Sequence, residues 1–181
     1  MNATSQQVTA SPVVRSMTAN LLLPQTAQYL TFMLAGEMFA VGILGVNEIL
    51  EYQSVTEVPM MPAYVRGVIN RRGTAVPVID LVVRFGKPSS AVGKRTCIVI
   101  VECGSADRRQ VLGIVVDAVN AVLDISAAEI EPAPDFGAHI RRDFIQGMGR
   151  INEKFVVLLD LDHVLSHDEL NAIPIGREAT I

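Results

Sequence analysis

The sequence predicts an all-β protein: two small closed barrels of about five strands each, packed together and punctuated by short helices. Three observations predict it. Short Val/Ile/Leu-rich runs of strand length recur from Tyr29 onward, each broken by Gly, Pro or charged residues. The chain repeats itself: FAVGILGVNEIL (Phe39–Leu50) aligns with LGIVVDAVNAVL (Leu112–Leu123) at a shift of 73, and RGVINRRGTAVPVIDL (Arg66–Leu81) aligns with QGMGRINEKFVVLLDL (Gln146–Leu161) at a shift of 80. Gly67 falls on Gly147, Pro59 on Pro132 and Asp80-Leu81 on Asp160-Leu161, so the landmarks keep their order and argue for duplication. The change of shift marks a seven-residue insertion around DFGAHIRRDF (Asp135–Phe144). Finally, the helix signals are few and short. Each repeat spans fewer than roughly 80 residues, where a lone core supplies only a few kcal/mol, so the halves are expected to pack against each other. A closed barrel also removes exposed sheet edges.

In chain order, residues 1–27 are rich in Ser, Thr, Gln, Asn and Ala and read as a mobile tail. Residues 28–170 form the folded body, with a first barrel over about 28–86 and a second over about 94–165; residues 171–181 are a C-terminal tail. The strand runs are YLTFMLAG, MFAVGI, TAVPVIDL, TCIVIVECG, VLGIVVDAV and FVVLLDL. Between Val65 and Leu81 two apolar runs flank Asn70-Arg71-Arg72-Gly73, a turn in which Gly73 supplies the tolerance of positive φ. Pro77 cannot donate to a ladder, so the returning strand needs an open side or a bulge. The second copy keeps this hairpin without the arginine pair, so the fold does not require it. Asp80 can cap a short helical turn through Phe85, with Gly86 as its stop and Pro88 beyond. Ser126-Ala-Ala-Glu129 reads as a capping box. The last helix is expected over Leu161 to Asn171, with Pro174 past its end.

Composition excludes several functions. Half the residues are hydrophobic, aromatics are 5%, there is no Trp and the net charge is −4. A nucleic-acid binder needs a basic face and stacking aromatics, and neither is present. The uncharged stretch Ser16–Gly36 contains Asn20, Pro24, Gln25 and Gln28, so it is not a membrane span. No signal-peptide core stands out, and the expected location is the cytoplasm. Cys97 and Cys103, six apart on one strand face, lie too far from each other for a disulfide and read as core thiols in a reducing compartment. No nucleophile elbow, phosphate loop or dinucleotide fingerprint occurs, and the carboxylates at run ends, Asp80, Asp117 and Asp160, favour capping over acid/base work. His163 and His167 could share a helix face and bind a metal with Asp160 or Asp168; a solvated end helix is the stronger reading. Neither catalysis nor a cofactor is expected, which leaves surface recognition.

FAVGILGVNEIL, VTEVPMMPAYVRGVINRRGTAVPVIDL (Val55–Leu81), LGIVVDAVNAVL and IEPAP (Ile130–Pro134) together resemble the CheW family of chemotaxis coupling proteins. The resemblance covers about Tyr29 to Leu170. It implies two five-stranded SH3-like barrels around a shared apolar groove. It implies a non-enzymatic adaptor joining a methyl-accepting chemoreceptor's cytoplasmic tip to the regulatory domain of a CheA-type histidine kinase, at membrane-associated receptor arrays and with no membrane insertion of its own. The family's receptor-facing positions fall on Val46, Glu48, Arg72, Cys97, Gly113 and Val122, with Glu48 and Arg72 as an acid–arginine pair. Its kinase-facing positions fall near Thr56, Tyr64, Arg66 and Gly67. For Val46, Cys97 and Val122 plain core packing stays an open alternative. The chain departs from the family at Gly42, where an acidic residue is common, at Arg71, where an aliphatic one is, and in the charged loop Gly104–Arg109. These departures leave open a sister pathway such as pilus motility or surface sensing. The chain ends soon after the second barrel, which argues against a fused receiver domain.

Overall fold

The computed structural model describes residues 25–133, 141–164 and 169. Eleven strands are described: β1 (Thr26–Leu34), β2 (Glu37–Gly42), β3 (Val46–Glu51), β4 (Val65–Arg71), β5 (Thr74–Ile79), β6 (Cys97–Cys103), β7 (Gln110–Val116), β8 (Ala118–Ser126), β9 (Ile130–Glu131), β10 (Ile145–Ile151) and β11 (Lys154–Leu159). Two one-turn helices follow the equivalent strands β5 and β11: α1 (Leu81–Arg84) and α2 (Leu161–Val164). The expected run of the last helix beyond Val164 lies almost entirely outside the described residues, as do residues 1–24 and the C-terminal tail; Thr26 and Ala27, expected in the N-terminal tail, instead open β1.

The strands form two sheets, ordered β8-β1-β2-β11-β10-β9 and β3-β6-β7-β5-β4. This corrects the expected boundaries. The barrels are not the successive segments 28–86 and 94–165; each takes the first hairpin of one repeat and the later strands of the other. Hairpin β1–β2 is inserted between β8 and β11, and hairpin β6–β7 between β3 and β5. The joints are parallel: Phe39 and Ala40 face Val157 and Leu158, while Ile114 and Gly113 face Ile79 and Val78. The sequence shifts of 73 and 80 carry one joint onto the other, so the molecule has a pseudo-two-fold axis.

The physical reason lies in the core. Each barrel encloses a modest cluster, Ile69, Val76, Val78, Ile98, Ile100 and Val115 in one and Tyr29, Ala40, Ile125, Val156 and Leu158 in the other. The largest cluster lies at the seam and draws on both repeats, including Leu30, Phe32, Phe39, Val65, Ile79, Val101, Leu112, Phe144 and Leu159. Fully burying such side chains contributes about 1.5–3 kcal/mol each. Exchanging hairpins lets both halves bury these faces in one shared core.

Local signals are obeyed. Asp80 caps α1, its Oδ1 accepting from the backbone N–H of Val82 and Val83 at 3.1 and 3.3 Å, and Gly86 closes the turn at φ +84°. Ser126 Oγ accepts from the Ala128 N–H at 3.3 Å and opens the 3-10 turn Ala127–Glu129. The β4–β5 turn is centred one residue later than expected. Arg71 and Thr74 close it, and Arg72 (φ +52°) and Gly73 (φ +83°) are its two central residues, the geometry of a type I′ hairpin. The Asn70 side chain accepts from the Gly73 N–H at 2.9 Å. Pro77 is accommodated as its chemistry demands. Val68 spends its own N–H and C=O on Thr56, so the facing Pro77 nitrogen points away from β4, where pairing with β7 begins only at Val78.

Candidate functional site

Two surfaces gather the candidate residues. The first is the place where edge strand β3 of the five-stranded sheet meets the β4–β5 hairpin from the sheet's other end. A bulge between Val46 and Glu48 turns these two residues to different sides: Val46 packs against the seam core, while Glu48 faces the hairpin. There its carboxylate accepts from Arg71, with Nε at 2.7 Å and Nη2 at 2.6 Å from Oε2. The expected Glu48–Arg72 pairing is thus corrected. Arg71 is the last residue of β4 and reaches across to β3, whereas Arg72 sits at the left-handed tip, is exposed, and has no carboxylate partner among the described residues.

The other receptor-facing candidates separate. Cys97 starts β6 beside β3, half-buried against the seam; burial and then Glu51 push its thiol pKa up. Gly113 is buried inside the barrel, where an added Cβ meets Ile98 Cγ2 at 2.8 Å and Val78 Cγ2 at 3.4 Å, so it is a close-packing position. Val122 is 47% exposed on β8, at the edge of the six-stranded sheet.

The second surface is an open groove formed by the segment 52–66 and lined by Tyr52, Val55, Val58, Met60, Pro62 and Arg66 among others. All four kinase-facing candidates lie in or beside it. Thr56 bridges the outer edge of β4 through Val68. Gly67 lies beside it, at φ +144°, with the Thr56 carbonyl so close that any Cβ would collide with it. Arg66 crosses the groove floor to Asp80: Nε and Nη2 donate to Oδ2 at 3.0 and 2.9 Å. The same guanidinium donates to Ser89 Oγ at 2.6 Å, the Ser90 carbonyl at 3.2 Å and the Tyr52 hydroxyl at 3.4 Å. Burial opposes its charge, but the hydrogen bonds to Tyr52 and Asp80 and the Asp80 charge outweigh burial and hold its pKa above the ordinary value. Arg66 therefore fixes the groove wall and the linker between repeats.

Tyr64 borders this surface and touches a residue the sequence did not single out. Arg84 stacks over the Tyr64 ring at 5.0 Å and over the Phe144 ring at 5.1 Å. These rings are equivalent under the 80-residue shift, so Arg84 lies near the pseudo-two-fold axis. It also donates to the Val164 carbonyl and to both Glu169 oxygens, all at 2.9 Å. Burial and Glu169 raise the Tyr64 pKa, with Arg84 opposing. The sequence carried no signal for this latch beyond a basic residue in the last turn of α1.

Among the described residues no three His, Cys, Asp or Glu side chains converge on a metal-sized site. His163 Nδ1 lies 2.7 Å from Asp160 Oδ2 on the surface; His167 falls outside the described residues. No described helix is long and apolar enough to cross a membrane.

Comparison with known proteins agrees with this architecture. A family model described as a CheW-like domain matches residues 28–169. The chain belongs to the CheW-like family. Chemotaxis protein CheW of Klebsiella aerogenes is 35% identical over 143 residues, covering 79% of this chain and 84% of that protein. A probable chemotaxis protein CheW of Rhizobium etli is 34% identical over 146 residues, 80% and 91% of the two chains. The crystal structure of the scaffolding protein TtCheW from Thermoanaerobacter tengcongensis superposes with a TM-score of 0.71 at 32% identity, covering 82% of this chain and 93% of that one. This CheW-like chain is accordingly a non-enzymatic adaptor of chemosensory signalling, built from two SH3-like β units.

Proposed function

We propose that this chain couples the cytoplasmic tip of a methyl-accepting chemoreceptor to the regulatory domain of a CheA-type histidine kinase, and is thereby recruited to membrane-associated receptor arrays. The β3–hairpin edge with Glu48, Arg71 and Arg72 serves the receptor, and the 52–66 groove with Thr56, Tyr64, Arg66 and Gly67 serves the kinase. One observation carries this reading. Two distinct surfaces, each combining apolar and charged side chains, flank edge strand β4: one at its hairpin end, where Arg71 meets Glu48 of β3, the other along its outer side, where Thr56 bridges Val68. A helical receptor tip can lay an aliphatic face on such an edge, with hydrophobic area giving affinity and charge giving specificity. Affinity capture of the tagged chain from its native cell, with the bound proteins identified, tests the proposal. Recovery of one histidine kinase together with receptors is expected; recovery of neither overturns it.

A further inference from the structure

Four strand pairings and one covalent connection join the two halves of the chain. β1 pairs with β8, β2 with β11, β3 with β6 and β5 with β7, so each half supplies strands that the other half's sheet lacks. None of these pairings requires both halves to come from the same chain; only the connection from α1 to β6 decides that. This connection is fastened at both ends. On the first-half side, Arg66 donates to Ser89 Oγ at 2.6 Å and to the Ser90 carbonyl at 3.2 Å. On the second-half side, the Gly93 N–H donates to Thr96 Oγ1 at 2.8 Å, and the Thr96 N–H returns to the Gly93 carbonyl at 3.3 Å. Between Ser90 and Gly93 stand Ala91 and Val92, both exposed. Ser90 Oγ donates to Asp117 Oδ2 at 3.4 Å and folds this short hinge back onto the chain's own second half. We infer that the chain has a second folded form, an exchanged dimer in which the first half of one copy completes both sheets with the second half of another, Ala91 and Val92 being the hinge. A second copy is the partner because its halves already match these edges strand for strand. The shared core and all four pairings are retained on exchange, so the two forms differ at the hinge alone. Concentration then decides between them: a short tether holds its ends at an effective concentration in roughly the mM range, and exchange competes as the protein approaches it. A hinge too short to turn back favours exchange outright. The dimer presents every surface of the monomer twice. That it is bivalent for receptor and kinase rests on the assignment made above; the exchange itself does not.

The test refolds the purified full-length chain from urea at about 10 μM and at about 1 mM, below and near that effective concentration. Size-exclusion chromatography with light scattering should find monomer in the first case and a dimer fraction in the second. On dilution the dimer should revert slowly, because reversal requires the halves to part. Deleting Ala91 and Val92 removes about 7 Å of reach and should give dimer even at about 10 μM. Replacing the pair by about six Gly and Ser residues should return that chain to monomer. Gln28 and Asp124 face each other across β1 and β8 and are both exposed. Gln28→Cys with Asp124→Cys, in a Cys97→Ser chain, therefore reports which halves are paired. After oxidation the exchanged dimer should run as a covalent dimer on a non-reducing gel, and the monomer as a single chain. Disulfides confined within single chains of the dimer fraction show ordinary surface association and overturn the inference. A wild type that stays monomeric at about 1 mM overturns it too, as does a deletion variant that is folded and monomeric. Should the deletion variant fail to fold, the disulfide result on the full-length chain decides. Loss of the exchange leaves the receptor and kinase assignment standing, and failure to capture receptor or kinase leaves the exchange standing.

Discussion

Glu48 has two arginines within reach along the hairpin, and the backbone decides between them. Arg71 belongs to the strand and faces β3; Arg72, one residue on, is thrown outward by its positive φ. A turn centred on residues 72 and 73 therefore separates the two: Arg71 pairs with Glu48, and Arg72 stays exposed at the tip, where the proposed receptor surface would use it. The sequence showed both arginines and the glycine but not the turn's centre, and a one-residue slip reassigns every side chain on the strand end. A double-mutant cycle on Glu48→Gln and Arg71→Gln should give a coupling of about 0.2–1 kcal/mol, the range of partly exposed ion pairs. Arg72→Ala should leave the melting temperature within about 1 °C and weaken receptor co-sedimentation; a large loss of Tm with normal receptor binding refutes that division. Cys103 obeys a different constraint. Burial, then Asp162 and Glu102, push its thiol up from the ordinary range to about 11. Because the folded-state pKa is raised, its contribution to stability is complete below about pH 9 and is lost as pH rises toward about 11. Urea unfolding at pH 7, 9 and 10.5 should show this decline in the wild type and a smaller one in Cys103→Ala. An equal decline in both refutes the assignment.

At the scale of elements, strand runs and caps were legible because each follows from local chemistry: apolar runs of strand length, Asp80 before α1, Gly86 after it. Contacts between elements were not. Nothing in the spacing of Arg84 announces that its guanidinium lies between Tyr64 and Phe144, two residues 80 positions apart that the fold brings to a common axis. Arg84 joins α1, α2 and both repeats at one point, with a planar group no lysine reproduces. Desolvated cation–π contacts are worth up to about 2 kcal/mol, and the hydrogen bond to the Val164 carbonyl adds about 1 kcal/mol. Arg84→Ala should thus cost about 2–3 kcal/mol in urea unfolding, with Arg84→Lys recovering less than half. Amide exchange at Val164 should rise in both variants; protection equal to wild type refutes the latch. The Gly67 crossing is a second such contact. Any side chain there collides with the Thr56 carbonyl, so Gly67→Ala should break the Thr56–Val68 bridge and detach the groove's edge from β4.

For the whole molecule the duplication was readable and the exchange was not, for one reason. The two copies carry equivalent strands, so a hairpin matches the complementary edge of its own repeat as well as that of the other, and no pairwise pattern tells the two apart. What distinguishes them is the seam. With β1–β2 joined to β11 and β6–β7 joined to β5, the largest apolar cluster is built from both copies, and neither barrel exists without the other's hairpin. The linker containing Ser89 and Ser90 is held by Arg66, which ties the chain together where it passes between repeats. Cutting there separates covalent continuity from fold. Two fragments, residues 1–91 and 92–181, should each be unfolded or self-paired alone, since each lacks the hairpin that closes its sheet. Mixed, they should form a one-to-one complex with the circular dichroism of the intact chain, as equivalent intertwined dimers do. Size-exclusion chromatography with light scattering measures this. A fragment that is monomeric and natively folded alone would show barrels closed within each repeat, and would remove the core shared by both copies.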